Sequence, residues 1–257
     1  HAMVDHGQAH CIMGNHEFNA LGWYMPAPPG SGRDFVREHS PRFARLLQET
    51  FQQFEHYPEE WKAFREWFYD LPLFLETERF RVVHACWDSR VIARLRPLLN
   101  DGRINPAILR EAGLPGTFIC QALDRLLRGT DMPLPEGMTL TSEEGFVRTF
   151  FRTKFWEENP QTYGDVVFQP DGLPEHAARL PLSPQQKNRL FLYGPDEPLL
   201  FVGHYWRRGR PGPIRDNLAC LDYSAVKNGK LVAYRLDQET RLDPIKFAWV
   251  DVQAVFR

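Results

Sequence analysis

Asn15, His16, His84 and His204 each stand at the end of a short apolar run, and their chemistry is that of a metal or proton-transfer site. The first run, Ala9-His10-Cys11-Ile12-Met13, leads into Gly14-Asn15-His16-Glu17. The second ends Val82-Val83-His84, and the third Phe201-Val202-Gly203-His204. Asn15 offers a neutral amide oxygen, and an imidazole can hold a cation or deliver a proton. If the three run ends meet at one rim, Asn15, His84 and His204 form three ligands for a divalent cation, with His16 beside them. Mixed nitrogen and oxygen ligation suits Mn, Fe, Zn or Ni, and imidazole argues against a pure Mg or Ca site. Taken alone, the tetrapeptide reads equally well as a glycine turn with an Asn-His cap. A lone histidine is more often structural than a ligand; three at run ends shift the balance toward a site.

The elements that must position these residues follow from pattern. Each of the three runs reads as a buried strand, the first passing through a glycine turn into a helix from Glu17 to Leu21. Such turns at the carboxyl ends of strands are where α/β proteins expose reactive groups. Met3 to Gly7 reads as a helix end with glycine at the left-handed cap. Pro26 to Gly32 is a loop. Phe43, Leu46, Leu47, Phe51 and Phe54 recur at helical spacing behind Ser40-Pro41. A second helix, Glu59 to Tyr69, carries the stripe Trp61, Phe64, Trp67 and Phe68, read as core packing. Leu71 to Glu76 and Phe80 to Asp88 form a hairpin about Thr77-Glu78-Arg79. Ser89 to Leu140 is helical and irregular, Ser142 to Trp156 is a further helix, and Asn159 to Pro198 is loop-rich. Asn228-Gly229, between apolar runs, signals a tight hairpin turn, and Phe247 to Phe256 is a last strand.

At 257 residues, with 43% hydrophobic and 25% charged side chains, the chain is long enough for one large domain or two modest ones. A net charge of −2 gives no bulk reason for nucleic-acid or membrane binding. Cys11, Cys86, Cys120 and Cys220 form no CxxC pair and lie beside apolar residues, as reduced thiols in a cytoplasmic protein do. No run of apolar residues is long enough to span a membrane.

With these motifs in order, the chain resembles the calcineurin-like metallophosphoesterases. It is most like the branch of protein Ser/Thr phosphatases, diadenosine tetraphosphatases and bacterial polynucleotide phosphatases. Gly14-Asn15-His16-Glu17 matches the GNHE motif. Val83-His84-Ala85-Cys86 resembles VHAG, with Cys86 where Gly is usual. Gly203-His204 matches the later GH, and Cys220-Leu221-Asp222 with Gly229-Lys230-Leu231 resembles the closing hairpin. The resemblance implies an α/β fold, a four-layer α/β/β/α sandwich, here as one domain over 1–257 with a helical and loop-rich insertion at 89–198. It implies metal ligation by Asn15, His84 and His204, with Mn the first expectation and Fe, Zn, Ni or Mg as alternatives. His16 is implied as general acid or phosphate contact, Asp222 as the group orienting a metal-bound histidine, and Arg152 or Lys154 as phosphate contacts.

The family also carries two earlier motifs, DxH and GDxxDRG, which supply the first metal's ligands, the bridging Asp and a phosphate-binding Arg. Nothing before Gly14 matches them; Asp5-His6-Gly7 has the wrong spacing. The domain is therefore expected to be incomplete at its N-terminus, to hold at most one metal, and to be inactive or weak as a phosphatase. An exposed sheet edge would favour a homo-oligomer. The substrate is expected to be a phosphoprotein, a dinucleoside polyphosphate or a nucleic-acid end, with no membrane partner. Two alternatives stand beside this reading: a non-catalytic binding or regulatory module, and a mononuclear hydrolase using three ligands and water.

Overall fold

A computed structural model describes residues 1–141, 145, 147–168 and 173–252. The chain is mixed α/β with several small sheets. It divides into two compact units, His1–Arg128 with Leu200–Gly203, and Gly129–Leu199 with His204–Arg257. Residues 89–128 belong to the first unit and residues 129–199 to the second. Among the described residues no helix is long and apolar enough to cross a membrane.

The first unit opens with α1 (Ala2–Asp5). It ends as expected: Gly7 sits at φ +66, its N–H bonds the Val4 carbonyl, and the Gln8 N–H bonds that of Met3. This paired arrangement closes a helix whose last carbonyls would otherwise be orphaned. Helices α2 (Asn15–Tyr24), α3 (Pro41–Gln53) and α4 (Pro58–Phe68) follow. Pro41 and Pro58 stand in the first turns of α3 and α4, where a missing N–H costs nothing. These three helices bury Ala20, Leu47 and Trp61 between them, with Trp23, Phe51, Phe54, Phe64 and Phe68 partly covered.

The hairpin of β1 (Phe74–Glu76) and β2 (Phe80–Val83) is antiparallel, with Phe74 opposite Val83 and Glu76 opposite Arg81. Thr77 makes the turn: its hydroxyl accepts the N–H groups of Arg79 and Phe80. The late strand Leu199–Val202 lies beside β2. It is buried throughout, so its continuous apolar run reports a covered strand. Helices α5 (Ser89–Leu95), α6 (Pro106–Glu111) and α7 (Phe118–Arg128) complete the unit. On α7, Ile119, Ala122, Leu123, Leu126 and Leu127 are buried, at i, i+3, i+4, i+7 and i+8. Full burial of each leucine contributes roughly 1.5–3 kcal/mol.

The second unit pairs β3 (Thr130–Pro133) with β6 (Phe150–Thr153), and β4 (Leu140–Thr141) with β5 (Val147–Arg148). Short helices α8 (Tyr163–Val166), α9 (Glu175–Ala178) and α10 (Pro184–Arg189) follow. After the Leu199–Val202 strand, β7 in chain order, come β8 (Leu218–Cys220), β9 (Asp222–Tyr223), β10 (Lys230–Tyr234) and β11 (Phe247–Asp251). β10 pairs β9 on one side and β11 on the other.

Three expected elements differ. Residues 9–13 form no named strand. Met13 is buried and its N–H bonds the Pro72 carbonyl at 2.8 Å, but one such bond does not make a ladder. The helix expected over Ser142 to Trp156 is not formed where the stretch is described, which holds β5 and β6 instead. In β6 Phe151 and Thr153 are buried and Phe150 exposed, a period of two. Thr153 donates its hydroxyl to that of Thr130 at 2.6 Å across the pair, a buried polar contact that a helix would not satisfy. Ser142, Glu143, Glu144 and Phe146 lie outside the described residues, as does Phe256. The tight Asn228-Gly229 turn is instead a wider loop, because Lys230 pairs Tyr223 and a short 3₁₀ turn, Ala225–Lys227, intervenes. Asn228 takes φ +58, while Gly229 is needed for space: a Cβ there would stand 1.9 Å from the Tyr223 carbonyl oxygen.

Candidate functional site

Gly14 is the N-cap of α2, in extended backbone at φ −103. Its N–H donates to the Glu17 carboxylate at 2.9 Å, which closes the first turn. Asn15 is then the first helical residue and His16 the second. His16 is exposed, and Phe18, Asn19 and Ala20 turn inward. The fourfold motif is thus a helix start whose glutamate is used structurally, leaving Asn15 and His16 as its outward chemistry.

His84 follows β2 directly. Its Nε2 lies 2.7 Å from Asn15 Oδ1, a contact between residues 69 apart in the chain. The imidazole edge lies over Gly14: a Cβ added there would stand 3.0 Å from both Cε1 and Nδ1 of His84, and 2.7 Å from Glu17 Oε2. The His84 carbonyl accepts the N–H of Gly203 at 2.9 Å, and the Ala85 N–H bonds the Leu126 carbonyl at 2.9 Å. The glycines of two motifs therefore both abut His84 within the first unit.

Gly14→Ala tests this packing. The backbone at φ −103 accepts a side chain, so the fold should be kept, with a loss no larger than the roughly 0.5–2 kcal/mol of a helix cap. The methyl must shift the capping Glu17 carboxylate and press on the His84 ring, moving it from Asn15. Cation affinity, measured by calorimetry with Mn²⁺, should fall about tenfold or more while the thermal midpoint stays within a few degrees.

Two arginines hold α2 from behind, and sequence patterning missed both. Arg37 lies against Gly22, whose absent Cβ would meet its Cγ at 2.7 Å, and its N–H bonds the Gly22 carbonyl. Its guanidinium stands 4.9 Å from the Phe18 ring centroid. Burial first, and then the like charge of Arg128, push the Arg37 guanidinium down to about 9. Arg128 donates to Asn19 Oδ1 at 2.9 Å and to Asp124 at 3.0 Å. An arginine half-buried against a distant helix leaves no periodic trace in a sequence, so these positioning contacts had no signal to find.

Cys86, in place of the motif's usual glycine, is fully buried, and burial pushes its thiol far up. Cys220 is likewise buried, its thiol pushed up to about 12 by burial; it donates to the Tyr205 carbonyl at 3.0 Å. Cys11 and Cys120 are half-buried. Since the thiolate is the nucleophile, a disulfide reagent at about pH 8 should modify Cys11 and Cys120 in the native chain. Cys86 and Cys220 should react only in denaturant, a difference that peptide mapping reads directly.

The remaining predicted residues belong to the second unit. His204, directly after Gly203, takes the left-handed backbone, φ +57. Its carbonyl accepts a hydrogen bond from Arg152 Nη1 at 3.3 Å, so Arg152 and His204 are brought together. Arg152 also stands 5.5 Å from the Tyr205 ring centroid. Lys154 donates to the Asp165 carbonyl at 3.1 Å and lies 3.6 Å from Glu157. The Asp222 carboxylate accepts the N–H of Ser224 at 2.9 Å, which stabilises that residue's left-handed turn.

Among the described residues, no group of three or more His, Cys, Asp or Glu side chains converges. The Asn15–His84 pair falls outside that description because one member is an amide. Comparison with protein-family models, curated proteins and solved structures returned no match.

Proposed function

We propose that this chain is a metal-dependent phosphoester hydrolase, with the four-layer sandwich of the calcineurin-like enzymes as its fold. The observation that carries the reading is the 2.7 Å approach of Asn15 Oδ1 to His84 Nε2. Two ligand atoms about 2.1 Å from one cation and at right angles to each other stand about 3 Å apart. The Asn15–His84 contact is a hydrogen bond, and its length is close to that edge, so a divalent cation held by both atoms would take the place of the proton they share. Asn15, His84 and, from the resemblance, His204 are the proposed ligands, with Mn the first choice and Fe, Zn, Ni or Mg as others.

Such a cation, when bound, polarises a phosphoryl oxygen and makes bound water more acidic. The chain's own residues do the rest. Asn15 brings no charge, so it leaves the cation its full electrophilic strength. Gly14 lets the His84 ring approach without a side chain between them. His16, exposed on the first turn of α2, is proposed to hold a proton for the leaving oxygen. Arg152, beside the His204 backbone, is the proposed phosphate contact. Lys154 is a further proposed phosphate contact, and Asp222 is proposed to orient the histidine ligand.

One ligand set is proposed where the resembling family uses two, so weak turnover is the proposed outcome. The test is release of p-nitrophenol from p-nitrophenyl phosphate, with Mn²⁺ and with EDTA. Turnover above the metal-only blank and abolished by EDTA supports the hydrolase. Failure of every phosphoester tried to turn over, with Mn²⁺ bound at a stoichiometry near one, would sink it. That result would favour the second reading, a non-catalytic module, to which the lack of a converging three-residue His, Cys, Asp or Glu group among the described residues also points.

A further inference from the structure

Beside His16 the first unit contains a cavity of about 310 Å³ between α2, α3 and α4. Its wall is Leu47, Phe54, Trp61, Phe64, Trp67 and Phe68, and His16, Glu17 and Thr50 supply its polar atoms. Of the aromatic stripe on α4, expected to pack in the core, Trp61 does so and is 8% exposed. Phe54, Phe64, Trp67 and Phe68 are only half-buried, so their rings line an opening that the core does not fill.

The chemistry of this lining selects an occupant. None of the lining residues is a Lys or Arg, so the pocket offers no partner to a phosphate. Glu17 is engaged by the Gly14 N–H, and the Trp61 indole N–H donates to the Tyr24 hydroxyl at 3.1 Å. What remains is mostly ring faces and edges, with His16, the Thr50 hydroxyl and the Trp67 indole beside them, at the small end of the ~300–1,000 Å³ range of ligand sites. The same wall already takes a planar ring: the His1 imidazole stands edge-on to Trp67, centroids 4.7 Å apart. At the mouth is His16, the residue proposed to protonate the leaving oxygen.

We propose that this pocket receives a flat aromatic ring of the substrate, an aryl or nucleobase group, and sets its ester oxygen beside His16. The position of the oxygen rests on the hydrolase reading; the ring site itself does not. Stacking on aromatic side chains is tolerant of ring type, so the lining alone is compatible with either ring and the probes separate them.

The test is calorimetric titration of the intact chain with phenol, adenosine and glycerol. Binding of phenol, adenosine or both is expected, and glycerol should give no heat of binding. The tighter ring probe identifies the aryl or nucleobase class. Phe64→Ala removes a wall from a half-exposed position, and Thr50→Trp fills the cavity; each should weaken ring binding about tenfold or more. Circular dichroism of both variants establishes that they fold. The proposal is overturned if neither ring binds at millimolar concentration, or if binding survives both variants unchanged. Ring binding without phosphoester turnover supports the pocket and counts against the hydrolase. Turnover without ring binding, and with no preference for aryl over alkyl phosphates, does the reverse.

Discussion

His84→Ala should lower Mn²⁺ affinity by about 100-fold or more and remove EDTA-sensitive phosphoester hydrolysis. Loss of groups that merely orient a metal ligand lowers affinity ~10–100-fold, and loss of the ligand itself should exceed this. A bound cation's charge stabilisation is worth several kcal/mol at the transition state, where each ~1.4 kcal/mol is tenfold, so turnover should fall by at least about 100-fold. The fold should survive. The bonds that tie this segment to Gly203 and Leu126 come from the backbone of His84 and Ala85, and neither needs the imidazole. Asn15→Asp is the informative companion, because a carboxylate keeps an oxygen 2.7 Å from Nε2. It should retain cation binding where His84→Ala loses it. Calorimetry and the p-nitrophenyl phosphate assay on both variants decide the matter. Equal Mn²⁺ affinity in wild type and His84→Ala would remove His84 from the ligand set.

Gly129→Ala should destabilise the second unit by about 2–5 kcal/mol. Gly129 links α7 to β3 at φ +86, where a side chain costs roughly 1–2 kcal/mol. A Cβ there would also stand 2.0 Å from the Tyr205 hydroxyl oxygen. Tyr205 cannot yield: it is fully buried, its hydroxyl accepts the Thr130 N–H at 3.1 Å, and its ring meets those of Phe155, Trp156 and Phe168. Overpacking of this kind adds roughly 1–3 kcal/mol. Gly116, also at φ +86 but with nothing within 4 Å of an added methyl, isolates the backbone contribution. Gly116→Ala should therefore lose only about 1–2 kcal/mol. Urea unfolding of the two variants separates clash from strain, and equal midpoints would show that the Tyr205 contact carries no weight.

The helices were the legible part of this fold. Ser40-Pro41 with phenylalanines and leucines at helical spacing predicted α3, and the Glu59 to Tyr69 stripe predicted α4 to within a residue at each end. Capping chemistry is local, so a glycine after His6 could be read as a helix end without any neighbour. Strands were less legible, because a strand is completed by a partner elsewhere in the chain. Residues 9–13 are apolar enough for one, yet they form no strand among the described residues, where the Met13 N–H bonds the Pro72 carbonyl. β6 was hidden in a stretch whose phenylalanines also suit a helix, until Thr130 supplied its partner.

The candidate site divides in the same way. The amide, the imidazoles and a glycine turn leading into a helix were legible from residue type alone, although the helix starts at Asn15 and not at Glu17. That Asn15 meets His84 across 69 residues required the hairpin to deliver β2 to the start of α2. The half-filled aromatic pocket beside His16 also required packing, because periodicity says which rings turn inward and says nothing of whether they close. Local sequence determined the chemistry available to this protein; packing between distant segments decided which groups meet, because contact distance depends on how whole elements fit and not on the order of residues within them.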